Sequence, residues 1–303
     1  MKIGMVGLGR MGMNMARRLL QGGCEVVVFN RTFGRAESLA REGAEPARSL
    51  EELLEKLPSP GIVWLMLPAG EVVDEYLGHL KSLMPEGGIV IDGANSNFRD
   101  DKKRVDLLAE SGIHYLDVGV SGGVWGLEEG YCLMVGGEKK VFLETEPILK
   151  VLAPPEGYLY CGPTGAGHFV KMVHNGIEYG MMGAYAEGFS LLESSEYRDH
   201  LDFARVSRLW NRGSVIRSWL LELLEDAFSE DPGLTELFGY VDDSGEGRWT
   251  VQEAVEKGVP VPVISSSLFQ RFSSRGQADF ANRVLAALRR EFGGHPVVSN
   301  DET

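Results

Sequence analysis

The sequence predicts an α/β protein, with a doubly wound sheet in its first half and an all-α C-terminal domain in its second. Three observations predict it. Short apolar runs alternate with amphipathic helical patterns up to about Gly162, strand signals nearly vanish after that point, and a glycine triplet sits between the first run and the first helix.

Residues 3–8 (IGMVGL) form the first apolar run, 11–20 an amphipathic helix and 24–29 (CEVVVF) a second run, which together make a strand, helix, strand unit. Further strands are expected at 62–67, 89–91, 115–118 and 132–135, with helices near 33–42, 101–111 and 141–152. Alternation of this kind is the grammar of a doubly wound sheet. Long helical patterns follow at 166–195, 203–229, 250–257, 264–271 and 277–292. The Gly/Pro-containing stretch CGPTGAG at 161–167 is the natural hinge. The expected division is a first domain over 1–164, an all-helical domain over 165–298 and a short acidic tail over 299–303.

A chain of 303 residues, 44% hydrophobic and 24% charged, is large enough for two domains with cores of their own. No apolar run approaches the roughly 20 residues of a membrane span, and Met1 leads straight into a strand, so a cytoplasmic protein is expected. Cys24, Cys132 and Cys161 are few, scattered and set in apolar or glycine contexts, which predicts structural thiols, no disulfide and no metal site. A formal charge of −14 argues against sequence-independent nucleic-acid binding but leaves room for an anionic substrate where cations gather locally.

Gly7, Leu8, Gly9, Arg10, Met11 and Gly12 spell GLGRMG at a strand-to-helix turn. There the first glycine permits a tight turn, the second admits a pyrophosphate to the backbone and the third lets helix and strand pack, while the helix N-terminus faces the phosphates. This is the fingerprint of a Rossmann-type dinucleotide-binding domain. The second strand ends in Asn30-Arg31-Thr32, where an NAD-specific site places an acid on the ribose hydroxyls. A neutral Asn, a cation and a hydroxyl suit a 2′-phosphate instead, so NADP is the expected cofactor and NAD the alternative. Leu67, Pro68 and Ala69 belong to MLPAG at 66–70, which ends another strand, and are expected beside the nicotinamide half.

The stretch GAGHFVKMVHNGIEY at 165–179 packs a lysine, a histidine, an amide and a carboxylate into one helical pattern. At about 100° per residue, Lys171, His174, Asn175 and Glu178 share an arc of about 100°. Val173, Ile177 and Met181 point elsewhere and are expected to pack the helix into a core, leaving the polar arc between apolar flanks.

These motifs, with IDGANS at 91–96, DVGVSGGVWGLEEG at 117–130, GEGRWT at 245–250 and RREFGGH at 289–295, resemble those of the decarboxylating 6-phosphogluconate dehydrogenases over nearly the whole chain. The wider β-hydroxyacid dehydrogenase superfamily shares the glycine turn, the SGG segment and a lysine with an Asn four residues on, but not the HNGIEY continuation. The resemblance implies oxidative decarboxylation of 6-phosphogluconate. It makes Lys171 the general base at the C3 hydroxyl, which requires a neutral amine, and Glu178 the acid that protonates the enediol at C1. Asn175 and His174 would position substrate oxygens. Asn95, Ser121, Gly122 and Gly123 would hold substrate, with Asn95 also touching cofactor. Tyr179 and Arg271 would bind the phosphate, joined by Arg289 and His295 from a neighbouring subunit of a homodimer or homotetramer. Ser244 stands where longer members carry a substrate-contacting lysine, and the chain lacks their extra helical repeat, marking the short type, whose members often use NAD. The alternative activity is that of a 3-hydroxyisobutyrate dehydrogenase or tartronate semialdehyde reductase, acting on a small hydroxyacid without decarboxylation. Glu178 and the three cationic side chains discriminate against it. A cofactor-sensing protein is the non-enzymatic alternative, and the Lys171/Asn175/Glu178 set speaks against that.

Overall fold

A computed structural model of the chain describes residues 1–276 and 279–293. Its strands are β1 (Lys2–Val6), β2 (Glu25–Phe29), β3 (Glu45–Ala47), β4 (Ile62–Leu65), β5 (Ile89–Asp92), β6 (His114–Ser121), β7 (Cys132–Gly137) and β8 (Tyr158–Gly162). They form one sheet in the order β3-β2-β1-β4-β5-β6-β7-β8, parallel except where β7 runs against β6. Helices α1 (Arg10–Gln21), α2 (Phe33–Ala40), α3 (Leu50–Glu55), α4 (Glu71–Leu83), α5 (Phe98–Ala109), α6 (Gly126–Glu129) and α7 (Lys139–Leu152) connect them. Both faces of the sheet are covered: Ile3, Met5, Val26 and Val28 pack in one apolar cluster, and Val6, Val27, Val63 and Val90 in another. Burial on both faces is why these strands read as continuous apolar runs instead of alternating ones. Order reverses between β1 and β4, which places the expected ligand crevice at the carboxyl ends of those strands.

The second set of helices is α8 (Ala166–Glu193), α9 (Phe203–Trp210), α10 (Trp219–Glu230), α11 (Glu246–Lys257), α12 (Pro262–Ser274) and α13 (Asp279–Gly293). Two compact units divide at His174/Asn175, inside α8. In the second unit Phe189, Phe203, Leu221 and Phe228 form a small core. Among the described residues no helix is long and apolar enough to cross a membrane.

Two expectations need correction. The helical pattern over 203–229 is not one helix but α9 and α10, because Gly213 takes a left-handed φ of 81° and Ser218 caps a new start, its hydroxyl accepting from the Leu221 amide at 3.2 Å. Nor do Ile177 and Met181 enter a core; they are 53% and 39% exposed. The packed face of α8 in the second unit is instead the stripe Gly176, Gly180 and Gly183. A Cβ on Gly176 would stand 2.8 Å from Thr250 of α11, and one on Gly183 2.8 Å from Ser267 of α12. Removing side chains lets the helices approach there, so the long apolar residues Ile177 and Met181 are left facing outward.

Strands β3 and β8 and helices α3 and α4 escaped the sequence reading. The Glu-Pro-Ala of β3 is too short and polar to signal a strand, and β8 lies at the sheet edge, only partly buried. Helix α4 buries Val73, Leu77 and Leu80 at helical spacing, but adjacent valines and an internal Gly78 blur the pattern.

Candidate functional site

The three glycines of the first turn differ in their surroundings. Gly7 has φ 92°, and a Cβ there would fall 2.3 Å from the Met66 carbonyl oxygen; one on Gly12 would lie 2.1 Å from that of Gly7. Around Gly9 a Cβ would meet nothing within 4 Å. So the first and third glycines are required by packing, while the second borders open space at the start of α1, where a dinucleotide pyrophosphate fits. Leu8 is buried under the turn, with Arg10 exposed and Met11 half-buried at the helix start.

Asn30 has a structural task at the end of β2. Its Oδ1 accepts from the Leu8 amide at 2.9 Å and its Nδ2 donates to the Thr32 carbonyl at 3.0 Å, so both ends of the amide brace the glycine turn against the end of β2. Arg35 adds a second brace, donating to the Leu8 carbonyl at 2.8 Å. Arg31 and Thr32 are exposed beyond β2. Leu67 is half-buried, and Pro68 and Ala69 are exposed after β4.

Strand β6 positions the first turns of α8 with every second residue. The Asp117 carboxylate accepts from the backbone amides of Gly165 and His168, at 2.7 and 3.0 Å, capping the helix. Gly119 lies under Lys171: a Cβ there would be 2.3 Å from the lysine Cβ and 3.0 Å from the Gly167 carbonyl oxygen. Ser121 reaches His174, its Oγ 3.4 Å from Nε2. A strand advances about 6.7 Å per two residues and a helix about 5.4 Å per turn, close enough for three successive matches. Lys171 is buried, with Nζ 3.5 Å from the His174 Nδ1, giving a chain of polar contacts from Lys171 through His174 to Ser121. Gly122 has φ 131° and Gly123 φ 53°, conformations that side chains disfavour. The segment that follows is held to α1, where Asn14 donates to the Val124 carbonyl at 3.1 Å and Arg18 to that of Leu127 at 2.9 Å.

Beneath this lies a buried charge network. Asp92, at the end of β5 beside Asp117 on β6, accepts from the Ala94 amide at 2.9 Å, the Ser96 hydroxyl at 2.8 Å and Arg104 Nη1 at 3.0 Å. These bonds fold the Gly93–Ser96 turn so that Asn95 is exposed between buried Ala94 and Ser96. The Tyr115 hydroxyl joins Asp92 to Asp101 at 3.2 and 2.8 Å, and Asp101 pairs with His168 Nδ1 at 2.8 Å. Burial would lower the His168 pKa, but the Asp101 carboxylate, aided by Asp92 and Asp117, reverses this and pushes it up to about 9. Burial also raises the Asp101 carboxyl, opposed by the charge and hydrogen bond of His168. Ligand-type atoms of Asp92, Asp101 and His168 lie within 4.8 Å of one another, and Arg104, reaching Asp92 and also Asp74 at 2.7 Å, supplies positive charge there from within the protein.

In the second unit, Asn175 and Glu178 are half-buried on α8, and Tyr179 is buried. The Arg271 guanidinium lies 3.6 Å from the Tyr179 ring centroid, while the Tyr179 hydroxyl is buried with no hydrogen-bond partner among the described residues. A ring stacked on a cation with an unsatisfied hydroxyl suits an anionic ligand. Arg271 also donates to the Asp242 carbonyl at 2.7 Å, fixing its orientation. Ser244 donates to Glu246 at 2.7 Å at the start of α11, a structural use for that position. The Arg289 side chain, His295 and the tail over 299–303 lie outside the described residues.

Sequence reasoning missed Asp92, Asp101, Asp117 and His168. The signal was there in two cases, since a lone acid in an apolar strand run (IVID, YLDV) has to find buried partners.

An open glycine turn on a doubly wound sheet, and a buried lysine three residues from a histidine, define a dinucleotide-dependent dehydrogenase of the β-hydroxyacid type. Residues 2–162 match the NAD-binding domain of 6-phosphogluconate dehydrogenase, and residues 167–295 its C-terminal domain. The chain belongs to the 6-phosphogluconate dehydrogenase family. It is 43% identical over 304 residues, the full length of both chains, to the NAD(+)-dependent, decarboxylating 6-phosphogluconate dehydrogenase of Haloferax volcanii. A solved structure of Plasmodium falciparum 6-phosphogluconate dehydrogenase, studied with NADP+ and with 6-phosphogluconate, superposes at a TM-score of 0.83 with 29% identity, covering 100% of this chain and 67% of that one. Mycobacterium tuberculosis 3-hydroxyisobutyrate dehydrogenase shares the fold at a TM-score of 0.71 and 24% identity, over 92% of this chain and 94% of that one.

Proposed function

We propose that the chain oxidises and decarboxylates 6-phospho-D-gluconate to D-ribulose 5-phosphate and CO2, reducing NADP or, in the alternative, NAD. The carrying observation is the buried Lys171 pressed against Gly119 and linked through His174 to Ser121. A nicotinamide bound at the glycine turn would supply the hydride acceptor for C3. Lys171 as a free amine accepts the C3 hydroxyl proton, and its ammonium then polarises the ketone that results. A carboxylate β to that ketone leaves as CO2. Glu178 delivers a proton to C1 of the enediol that remains. His174 and Asn175 orient the hydroxyl and carboxylate oxygens, with Asn95, Ser121 and the backbone of Gly122 and Gly123 holding the sugar acid. Tyr179 and Arg271 take the phosphate, a role that their stacked arrangement supports.

The glycine turn, Arg31, Thr32, Asn95 and Leu67–Ala69 would hold the cofactor. In this reading residues 1–164 serve the cofactor, and 165–298 the substrate and the oligomer. The oligomer is a homodimer or homotetramer in the cytoplasm, in which Arg289 and His295 complete the neighbour's phosphate site. Exposed Phe280, Val284, Leu285 and Leu288 on α13, with Ile177 on α8, support a partner surface.

Absorbance at 340 nm with 6-phosphogluconate and either dinucleotide, together with CO2 release, tests the reading. Turnover of 3-hydroxyisobutyrate or tartronate semialdehyde with none of 6-phosphogluconate would overturn it.

A further inference from the structure

We propose that the buried Asp101–His168 pair is a positioning device that locks the Asn95 turn to the Lys171 turn of α8, so that both residues act on the reaction without touching substrate. The inference rests on the reading of Lys171 and Asn95 as site residues given above.

The connection can be followed atom by atom. His168 lies one helical turn before Lys171; its backbone amide is held by Asp117 and its ring by Asp101. Asp101 accepts the Tyr115 hydroxyl, which also lies 3.2 Å from Asp92. Asp92 in turn holds the Ala94 amide and the Ser96 hydroxyl on either side of Asn95. All five side chains are nearly inaccessible, with Asp92, Asp101 and Asp117 at 0% exposure and Tyr115 and His168 at 2%. Buried polar groups with fixed partners have few alternative arrangements, so a change at one end is transmitted to the other. Arg104 supports the network from α5 through Asp92. Structural stability alone does not account for its course, because apolar packing of the same volume would serve stability as well. This path joins the two turns that carry Asn95 and Lys171.

Asp101→Asn keeps the shape and removes the charge. Its kcat for 6-phosphogluconate should fall at least tenfold, while the KM for dinucleotide stays within about threefold of wild type. Hydrogen exchange should quicken together in two separate segments, 89–97 and 163–172, while 25–47 at the far edge of the sheet keeps its wild-type protection. Tyr115→Phe, which removes only the bridging hydroxyl, should give a smaller change of the same kind and decides the matter should Asp101→Asn fail to fold. Exchange that quickens in one segment alone or uniformly across the sheet, or an unchanged kcat in the folded variants, would overturn the proposal. Exchange is read without substrate. Joint quickening in a protein whose wild type does not turn over 6-phosphogluconate would therefore uphold the coupling while sinking the functional reading.

Discussion

Gly119 and Lys171 are in contact through the place where a side chain on the glycine would be, 2.3 Å from the lysine Cβ. The same position also meets the Gly167 carbonyl oxygen at 3.0 Å, so a side chain there would force strand or helix to shift. Gly119→Ala should therefore displace the first turns of α8 from β6. Activity should drop by about 10²-fold or more, in line with misplacement of a reacting group by about 1 Å, while far-ultraviolet circular dichroism stays close to wild type. An alanine variant with full turnover would show that Lys171 has no need of this seat.

Lys171 and Glu178 should fail differently when replaced. Lys171→Met should lose about 10²- to 10⁴-fold in turnover, the usual contribution of a general base, with no hydride transfer in a single-turnover trace. Glu178→Gln should still reduce dinucleotide in the first turnover but slow formation of ribulose 5-phosphate. Equal loss of the hydride burst in both variants would refute the division of labour.

Cofactor choice separates Asn30 from its neighbour. Because the Asn30 amide braces Leu8 and Thr32, Asn30→Ala should weaken NAD and NADP alike. Arg31 is free of that duty in the turn, so Arg31→Ala should act on NADP alone, removing a charge-assisted contact worth roughly 1.5 to 3 kcal/mol. Wild-type kcat/KM should favour NADP; a tenfold or greater preference for NAD would reverse the assignment.

Stability should fall on the alkaline side. His168 titrates at about 9 in the folded protein against 6.5 in the unfolded chain. A raised pKa contributes stability that is fully present below 6.5 and is lost as pH rises through 9. Urea midpoints compared between wild type and His168→Gln at pH 6 and pH 10 should differ much more at the lower pH. A difference independent of pH would mean that the buried ring is neutral throughout.

Subunit mixing tests the oligomer. Dimers combining a Lys171→Met protomer with an Arg289→Ala protomer should regain one intact site, and verified heterodimers without activity would argue against a shared phosphate pocket.

Much of this was legible in the sequence because periodicity and glycine spacing are local properties. The run IGMVGLGRMG identifies a strand, a turn and a helix within ten residues, and the polar arc of Lys171, His174, Asn175 and Glu178 follows from helical spacing alone. What escaped notice depended on partners distant in the chain. Asp117 accepts from an amide 48 residues later, and Asn30 acts on an amide 22 residues earlier. The outward face of α8 was misjudged for the same reason. Ile177 and Met181 look like core residues until Gly176 and Gly183 are seen against Thr250 and Ser267.

The matched spacing of β6 and α8 also bears on recombination between family members. Two chains joined in the glycine-containing stretch near Thr164 would place one parent's Lys171 on the other parent's Asp117 and Gly119, where any difference in strand length or helix start shifts the lysine. A crossover after His174, where the compact units divide, keeps the lysine with the strand that seats it. Chimeras of the second kind should inherit Lys171 together with its seat from the parent that supplies the sheet, and Glu178 from the other parent.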